Sequence, residues 1–142
     1  IPQIEVPSSG ATFMGAALEL LVHEVETNVK KTTADEKGDW RPLIFLMTDG
    51  SPSDVYAYQQ IIPHIQQLNF ATIVACAAGP KAKTETLLQL TQKVVVLDTM
   101  DTTSFSSFFK WVSASVVAGS SSAGISGPIS LPPPPSEIQL VL

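Results

Sequence analysis

The residues best suited to chemistry lie in the stretch LIFLMTDGSPSD, Leu43 to Asp54, where an apolar run ends in a short acidic turn. Continuous apolar runs of this length are typical of strands that are covered on both faces of a parallel sheet. Such a strand carries the Asp49 carboxylate to its own carboxyl end, which is where open α/β sheets bind ligands. Asp49 therefore has two interpretations: it forms a turn with Gly50, or it holds a metal ion.

Thr12 offers a second oxygen ligand, because it follows a glycine-containing turn and opens a predicted helix. Hydroxyl and carboxylate oxygens are hard ligands that suit Mg²⁺ or Mn²⁺. Two ligands are too few for a dedicated site, so the spacing of Thr12 and Asp49 is by itself a weak metal signal. Thr12 is also well placed to be the N-cap of its helix, and Asp54 or Ser53 to cap the helix after the acidic turn.

Other reactive side chains give weaker signals. Asp98 and Asp101 follow the third apolar run, where a neighbouring helix start favours acidic residues without any catalytic role. His23 and His64 each stand alone, with no second histidine at the spacing of a metal pair. Cys76 is the only cysteine, which excludes a disulfide within the chain, and its apolar surroundings predict a buried structural thiol. No glycine-rich phosphate loop and no nucleophile elbow is present.

The elements that must position these residues alternate along the chain. Helices are predicted over residues 13–31, 54–68, 83–92 and 102–119, and strands at PLIFLM, FATIVACAAG and VVVL. This order predicts an α/β, doubly wound (Rossmann-like) fold, with a mostly parallel sheet flanked by helices. Residues 1–118 form the predicted domain, in which the first residues are an extended connection or an edge strand. Residues 119–142 are a Ser/Gly/Pro-rich tail, which is expected either to lie back over the domain with its apolar end or to offer its PPPP run to a proline-recognition module.

Composition bounds the class of protein. The chain has 142 residues, 44% of them hydrophobic, which suits one domain with a real core. A net charge of −5 and the lack of a basic cluster argue against nucleic acid as a partner. The longest apolar runs fall short of the roughly 20 residues that cross a bilayer, so no membrane is expected. The single cysteine and the absence of a signal peptide predict a cytoplasmic protein.

Three segments together resemble a von Willebrand factor A domain. They are SSGATFMGAALELL, WRPLIFLMTDGSPSD and SFSSFFKWVSASV, and the nearest likeness is to the bacterial TerY-like group of tellurite-resistance proteins. The resemblance implies a metal-ion-dependent adhesion site built from a D-x-S-x-S loop, a threonine at a helix start and an aspartate at a strand end. Thr12 matches that threonine and Asp49 matches that aspartate. Asp54, near the same turn, is a candidate for orienting waters or backbone around the ion.

One departure from the family pattern is large: no D-x-S-x-S occurs in this sequence. The chain is therefore expected to be the C-terminal portion of such a domain, with the N-terminal strands missing. LIFLM would then lie at a sheet edge without its partner. We expect a missing segment, or another chain, to complete the sheet and the metal coordination.

Three functions follow as hypotheses. The first is a non-enzymatic, metal-ion-dependent protein-interaction module, in which an acidic residue of a protein partner fills the open position on the ion. The resemblance places it in tellurite and stress resistance, beside a kinase and a phosphatase encoded nearby. The second is a Mg²⁺-dependent hydrolase or phosphatase that uses Asp49, Asp98 and Asp101, although no nucleophile or paired general base is evident. The third is a metal-free structural domain in which Asp49 and Gly50 only make the turn.

Overall fold

The computed structural model describes residues 10–68, 70, 72–99, 101–121 and 131–141. Four helices and four strands are formed by these residues. In chain order they are α1 (Met14–Asn28), β1 (Leu43–Thr48), α2 (Val55–Gln67), β2 (Thr72–Ala78), α3 (Thr84–Leu90), β3 (Val94–Leu97), α4 (Thr102–Ser121) and β4 (Gln139–Val141). The N-terminal connection predicted before Gly10 lies outside the described residues.

The strands form one open sheet in the order β1-β2-β3-β4. β1 and β3 both run parallel to β2, with Phe45 opposite Val74 and Cys76 opposite Val95. β4 is antiparallel to β3 and pairs over three residues. The prediction of an α/β fold with a mostly parallel sheet flanked by helices is confirmed, and the architecture is compatible with a Rossmann-like arrangement.

Helices cover both faces of the sheet. The connections through α2 and α3 step in the same direction across it, and right-handed crossovers then put both helices on one face. On that face Leu18 of α1, Ile65 of α2 and Leu87 of α3 pack against Ala75 and neighbouring sheet residues. On the other face, Phe108 and Trp111 of α4 are buried. They pack against those residues of β2 and β3 whose side chains alternate with the ones on the first face. The apolar runs of β2 and β3 are therefore covered on both sides, as their sequence predicts.

The first turns of α1 and α2 touch through their backbones. A Cβ atom added at Gly15 would lie 2.4 Å from the backbone nitrogen of Tyr58 and 2.8 Å from the Ala57 Cβ. Only glycine, which has no Cβ atom, therefore fits at this crossing of the two helices. The contact fixes the start of α1 against the start of α2, and so sets the positions of the loops that precede both helices.

The chain after α4 returns to the domain. Residues 131–135, which we call the proline strap, lie across Trp111, whose indole Nε1 donates a 2.9 Å hydrogen bond to the Pro132 carbonyl oxygen. A turn closed by the Ile138 amide and the Pro135 carbonyl then buries Ile138 and leads into β4. The tail predicted over 119–142 thus begins inside α4 and supplies an edge strand. Leu142, which belongs to the same tail, lies outside the described residues.

Cys76 lies in the middle of β2, and its side chain is fully buried. Burial raises the pKa of its thiol to about 12. The predicted structural, unreactive thiol agrees with this environment. None of the helices within the described ranges is long and apolar enough to cross a bilayer.

Candidate metal site at the carboxyl end of β1

The loop before α1 and the loop after β1 are joined by a reciprocal pair of hydrogen bonds. The Thr12 amide donates to Ser53 Oγ at 3.0 Å, and the Ser53 amide donates to the Thr12 carbonyl oxygen at 2.8 Å. Since β1 ends at Thr48, this junction lies at the carboxyl end of the strand. Residues 12 and 49, far apart in the sequence, therefore both lie at the carboxyl end of the parallel strands.

Asp54 connects the same two loops through its carboxylate. Its Oδ1 accepts from the Gly15 amide at 3.1 Å and its Oδ2 from the Ala16 amide at 2.9 Å. These are backbone donors in the first turn of α1, which have no partner inside that helix. Partial burial raises the pKa of Asp54, but the backbone hydrogen bonds, led by that of Ala16, outweigh it and lower the pKa overall.

This arrangement corrects the predicted caps. The N-cap position of α1 is Phe13, not Thr12, and no side chain within that loop caps the helix. Asp54 occupies the N-cap position of α2, yet its side chain makes no cap hydrogen bond there. The residue predicted to cap its own helix instead caps the neighbouring one, because the contact at Gly15 brings the two helix starts together.

Asp49 is held by a compact turn, and its side chain is exposed. Its Oδ1 accepts from the Ser51 amide at 3.0 Å, as in an Asx turn. Its carbonyl oxygen accepts from the Lys83 amide at 2.8 Å, which ties the turn to the loop before α3. Gly50 has a φ of +72°, and a Cβ there would lie 2.1 Å from the Lys83 carbonyl oxygen. The turn thus requires glycine at position 50 and is stabilised by the Asp49 side chain. No described residue donates a hydrogen bond to Asp49 Oδ2, which leaves this oxygen for another partner.

The site therefore has two exposed oxygen donors on one sheet edge and one carboxylate that supports them. Among the described residues no hydrogen bond joins the Thr12 hydroxyl to Asp49, and no group of three or more His, Cys, Asp or Glu side chains is placed to hold a metal. Mg²⁺ requires about six ligands in near-octahedral geometry. The donor chemistry of Thr12 and Asp49 fits such an ion, and the remaining ligands would have to come from water or another segment.

Ser53 and Lys83 are the residues at this site that sequence reasoning missed. Ser53 was predicted only as a helix cap, but its hydroxyl links the two loops. Lys83 contributes its backbone to the Asp49 turn and also lines a depression of about 200 Å³ beside Gly50 and Ser51. The only available signal was the dense run of small polar residues after Asp49, which does not identify their partners.

Asp98 and Asp101 lie at a different part of the edge. They follow β3, which is separated from β1 by β2. Since neighbouring strands are roughly 4.8 Å apart, the carboxyl end of β3 lies about 10 Å from the carboxyl end of β1. Asp101 Oδ1 accepts from the Ser104 amide at 2.9 Å and so caps α4. This hydrogen bond, followed by one from the Thr99 side chain, lowers the pKa of Asp101. Asp98 accepts a long bond of 3.4 Å from Gln139.

Comparisons with known proteins do not assign this chain. No family profile, no curated protein and no solved structure matches it. The resemblance to von Willebrand factor A domains therefore rests on three segments of the sequence alone.

Proposed function

We propose that this chain is part of a metal-ion-dependent protein-interaction module of the von Willebrand factor A type. Thr12 and Asp49 would contribute oxygen ligands to a Mg²⁺ or Mn²⁺ ion. An Asp or Glu side chain of a partner protein would complete the coordination, since the two described ligands carry a single negative charge against two positive charges. The setting inferred from the resemblance is bacterial tellurite and stress resistance in the cytoplasm, with a kinase or phosphatase of the same gene cluster as a candidate partner.

One observation carries the proposal. The Thr12 and Ser53 backbone and side-chain groups hydrogen-bond reciprocally, so the loop with the hydroxyl ligand is fixed beside the loop with the carboxylate ligand. Both candidate ligands are exposed at the carboxyl end of a parallel strand, the usual ligand position in open α/β sheets. Asp54 would act indirectly, because its carboxylate accepts hydrogen bonds from the first turn of α1, which follows the Thr12 loop.

The edge strand supports a further element of the proposal. Within the described residues, β1 is the outer strand of the sheet, and all six of its residues are only half-buried. LIFLMT contains no charge and no proline, the features with which proteins usually protect an edge. A segment from another part of the protein, or from another chain, would pair there and bring the missing metal ligands next to Asp49.

The test is a titration of the ¹⁵N-labelled chain with substoichiometric Mn²⁺, followed by two-dimensional NMR. The paramagnetic ion should broaden the amide signals of Thr12 and of residues 49–51 first, even when its affinity is low. Asp49→Ala and Thr12→Ala should each restore those signals, whereas Asp98→Ala should not. Melting curves with and without Mg²⁺ provide a second measurement, because a ligand that binds the folded state raises its melting temperature.

A contrary result has a clear form. The metal site would be contradicted if Mn²⁺ broadens the amide signals of the exposed acidic loop at Asp35 and Glu36 as strongly as those of the Asp49 turn. The same broadening would then also persist in Asp49→Ala. The structural alternative would then remain, in which Asp49 and Gly50 only make the turn. That alternative has direct support in the Ser51 hydrogen bond to Oδ1.

The hydrolase alternative is less well supported by the geometry. Two carboxylates that bind the same Mg²⁺ directly have oxygens no more than about 4 Å apart, given bond lengths of roughly 2.1 Å. Asp49 and Asp98 leave strands that are two positions apart, and Asp101 is engaged in capping α4. A single ion held by all three carboxylates does not fit this spacing.

A further inference from the structure

A second candidate site lies on the opposite face of the sheet, beneath the proline strap. A half-open cavity of about 300 Å³ lies there between Val74 and Val95 of the sheet, Trp111 of α4, the partly exposed Leu140 of β4 and the strap. This volume is at the lower end of the range of about 300–1,000 Å³ that is usual for small-molecule pockets. It offers room for roughly ten water-sized groups.

The walls of the cavity are apolar and firmly held. Val74 and Val95 are buried, and Trp111 is 5% exposed. Leu131 and residues 132–134 of the strap form the outer wall. The strap is fixed at one end by the Trp111 hydrogen bond to Pro132 and at the other by β4. The cavity is thus a built feature of the fold and not a gap beneath a loose tail.

Among the described residues, Lys93 is the only one with a charged side chain that lines this cavity. The residue is half-buried, and its Nζ donates to Thr72 Oγ1 at 2.9 Å. An ammonium group has three donors, so two remain after that bond. In the described ranges no carboxylate lies within ion-pair distance of Nζ, and Thr72 is neutral. A half-buried ammonium whose protein partner is a hydroxyl is better satisfied by a charged acceptor.

We propose that this cavity binds a small apolar monocarboxylate. The carboxylate would accept hydrogen bonds from Lys93 Nζ, and the apolar body would lie against Trp111 and the prolines of the strap. A flat or flexible hydrocarbon of about eight carbons fills the space estimated above. This inference does not depend on the metal site, which lies at the end of β1 and shares no residue with the cavity.

The test uses octanoate as the probe and Trp111 as the reporter. Trp40, the other tryptophan, is 58% exposed and is replaced by phenylalanine so that the fluorescence comes from Trp111 alone. Octanoate should change this fluorescence in a saturable way. Lys93→Met should weaken octanoate binding about tenfold, because it removes a charge-assisted hydrogen bond. Lys81→Met, at an exposed lysine outside the cavity, should leave it unchanged.

Neutral 1-octanol separates charge recognition from simple partitioning into an apolar site. Its binding should be weaker than that of octanoate and insensitive to Lys93→Met. A second measurement on the unaltered chain is the shift of the Trp111 indole N–H and of the Val74 and Val95 amides in NMR spectra. The proposal is overturned if octanoate produces no such shifts, or if octanoate and octanol bind equally well with and without Lys93.

Discussion

The Asp54 carboxylate at the start of α2 lies 2.9 Å from the backbone nitrogen of Ala16, in the first turn of α1, across 38 residues of sequence. It also accepts from the Gly15 amide. Both oxygens of the Asp54 carboxylate are therefore already engaged with backbone donors. Its effect on function passes through the position of α1 and of the Thr12 loop that precedes it.

Replacing Asp54 by alanine should lower the melting temperature by about 3–6 °C, because the first turn of α1 loses the only side-chain cap that the described residues provide. Thermal unfolding followed by circular dichroism measures this change. Asp35→Ala, in an exposed loop where the carboxylate accepts no hydrogen bond from the described residues, is the matched control and should be neutral within about 1 °C. Equal melting temperatures for the two variants would contradict the capping role.

The Asp54 contribution should also depend on pH in a defined direction. Its pKa in the folded state is lowered from 3.8, so the stabilisation is complete above the unfolded value and is lost as the pH falls through the folded value. The difference in melting temperature between the natural chain and Asp54→Ala should stay constant from pH 6 to pH 8. It should shrink below about pH 4. A difference that grows on acidification would contradict this assignment.

Gly50→Ala should destabilise the domain by at least about 2 kcal/mol. Alanine is strained at a φ of +72°, and its Cβ would collide with the Lys83 carbonyl oxygen, which is backbone and cannot rotate away. Gly10→Ala is the control, since a Cβ there meets nothing within 4 Å. Chemical denaturation of both variants gives the free energies of unfolding. A Gly50→Ala variant as stable as Gly10→Ala would show that the turn is not packed on Lys83.

Gly15→Ala tests two opposing effects at one position. Helix propensity alone would make alanine more stable than glycine by about 1 kcal/mol. The added Cβ would lie 2.4 Å from the backbone nitrogen of Tyr58, and overpacking of this kind costs about 1–3 kcal/mol. We expect a net loss in the free energy of unfolding. A gain in stability would mean that α1 and α2 can move apart at little cost.

Cys76 should react very slowly with a thiol reagent in the folded protein. Its side chain is fully buried at the centre of the sheet, and its pKa of about 12 leaves almost no thiolate between pH 7 and pH 9. Release of chromophore from Ellman's reagent should follow unfolding in denaturant and should rise little with pH under native conditions. Rapid labelling of the native chain at pH 8 would contradict the buried environment.

The apolar runs and their spacing were sufficient to predict seven of the eight elements. β2 and β3 are continuous apolar segments between turn residues, and such segments have few alternatives to a doubly covered strand. β4 was missed because three residues after a proline run carry no periodic signal. Its stability comes from pairing with β3 and from the burial of Ile138.

Partners across elements were harder to predict than the elements themselves. The apolar residues of α4 do not share one buried face, because Phe109 and Val116 are both more than 40% exposed, whereas Trp111 is buried. The proline strap covers the side of α4 that carries Trp111, and the local sequence of α4 does not predict this contact. Likewise, the sequence predicts Asp54 as a cap for α2. It caps α1 instead, because the two helices approach each other at Gly15.

The two edges of the sheet differ in a way that limits assembly. β4 is three residues long, while β1 offers six uncharged residues at the opposite edge of the described sheet. If copies of this chain associate by strand pairing, the longer edge favours a contact of β1 with β1 around a two-fold axis. That contact is isologous and uses up the long edge of each copy, so growth stops at two. The three-residue β4 would lie outside such a contact, and the assembly would be a closed pair instead of an open fibre.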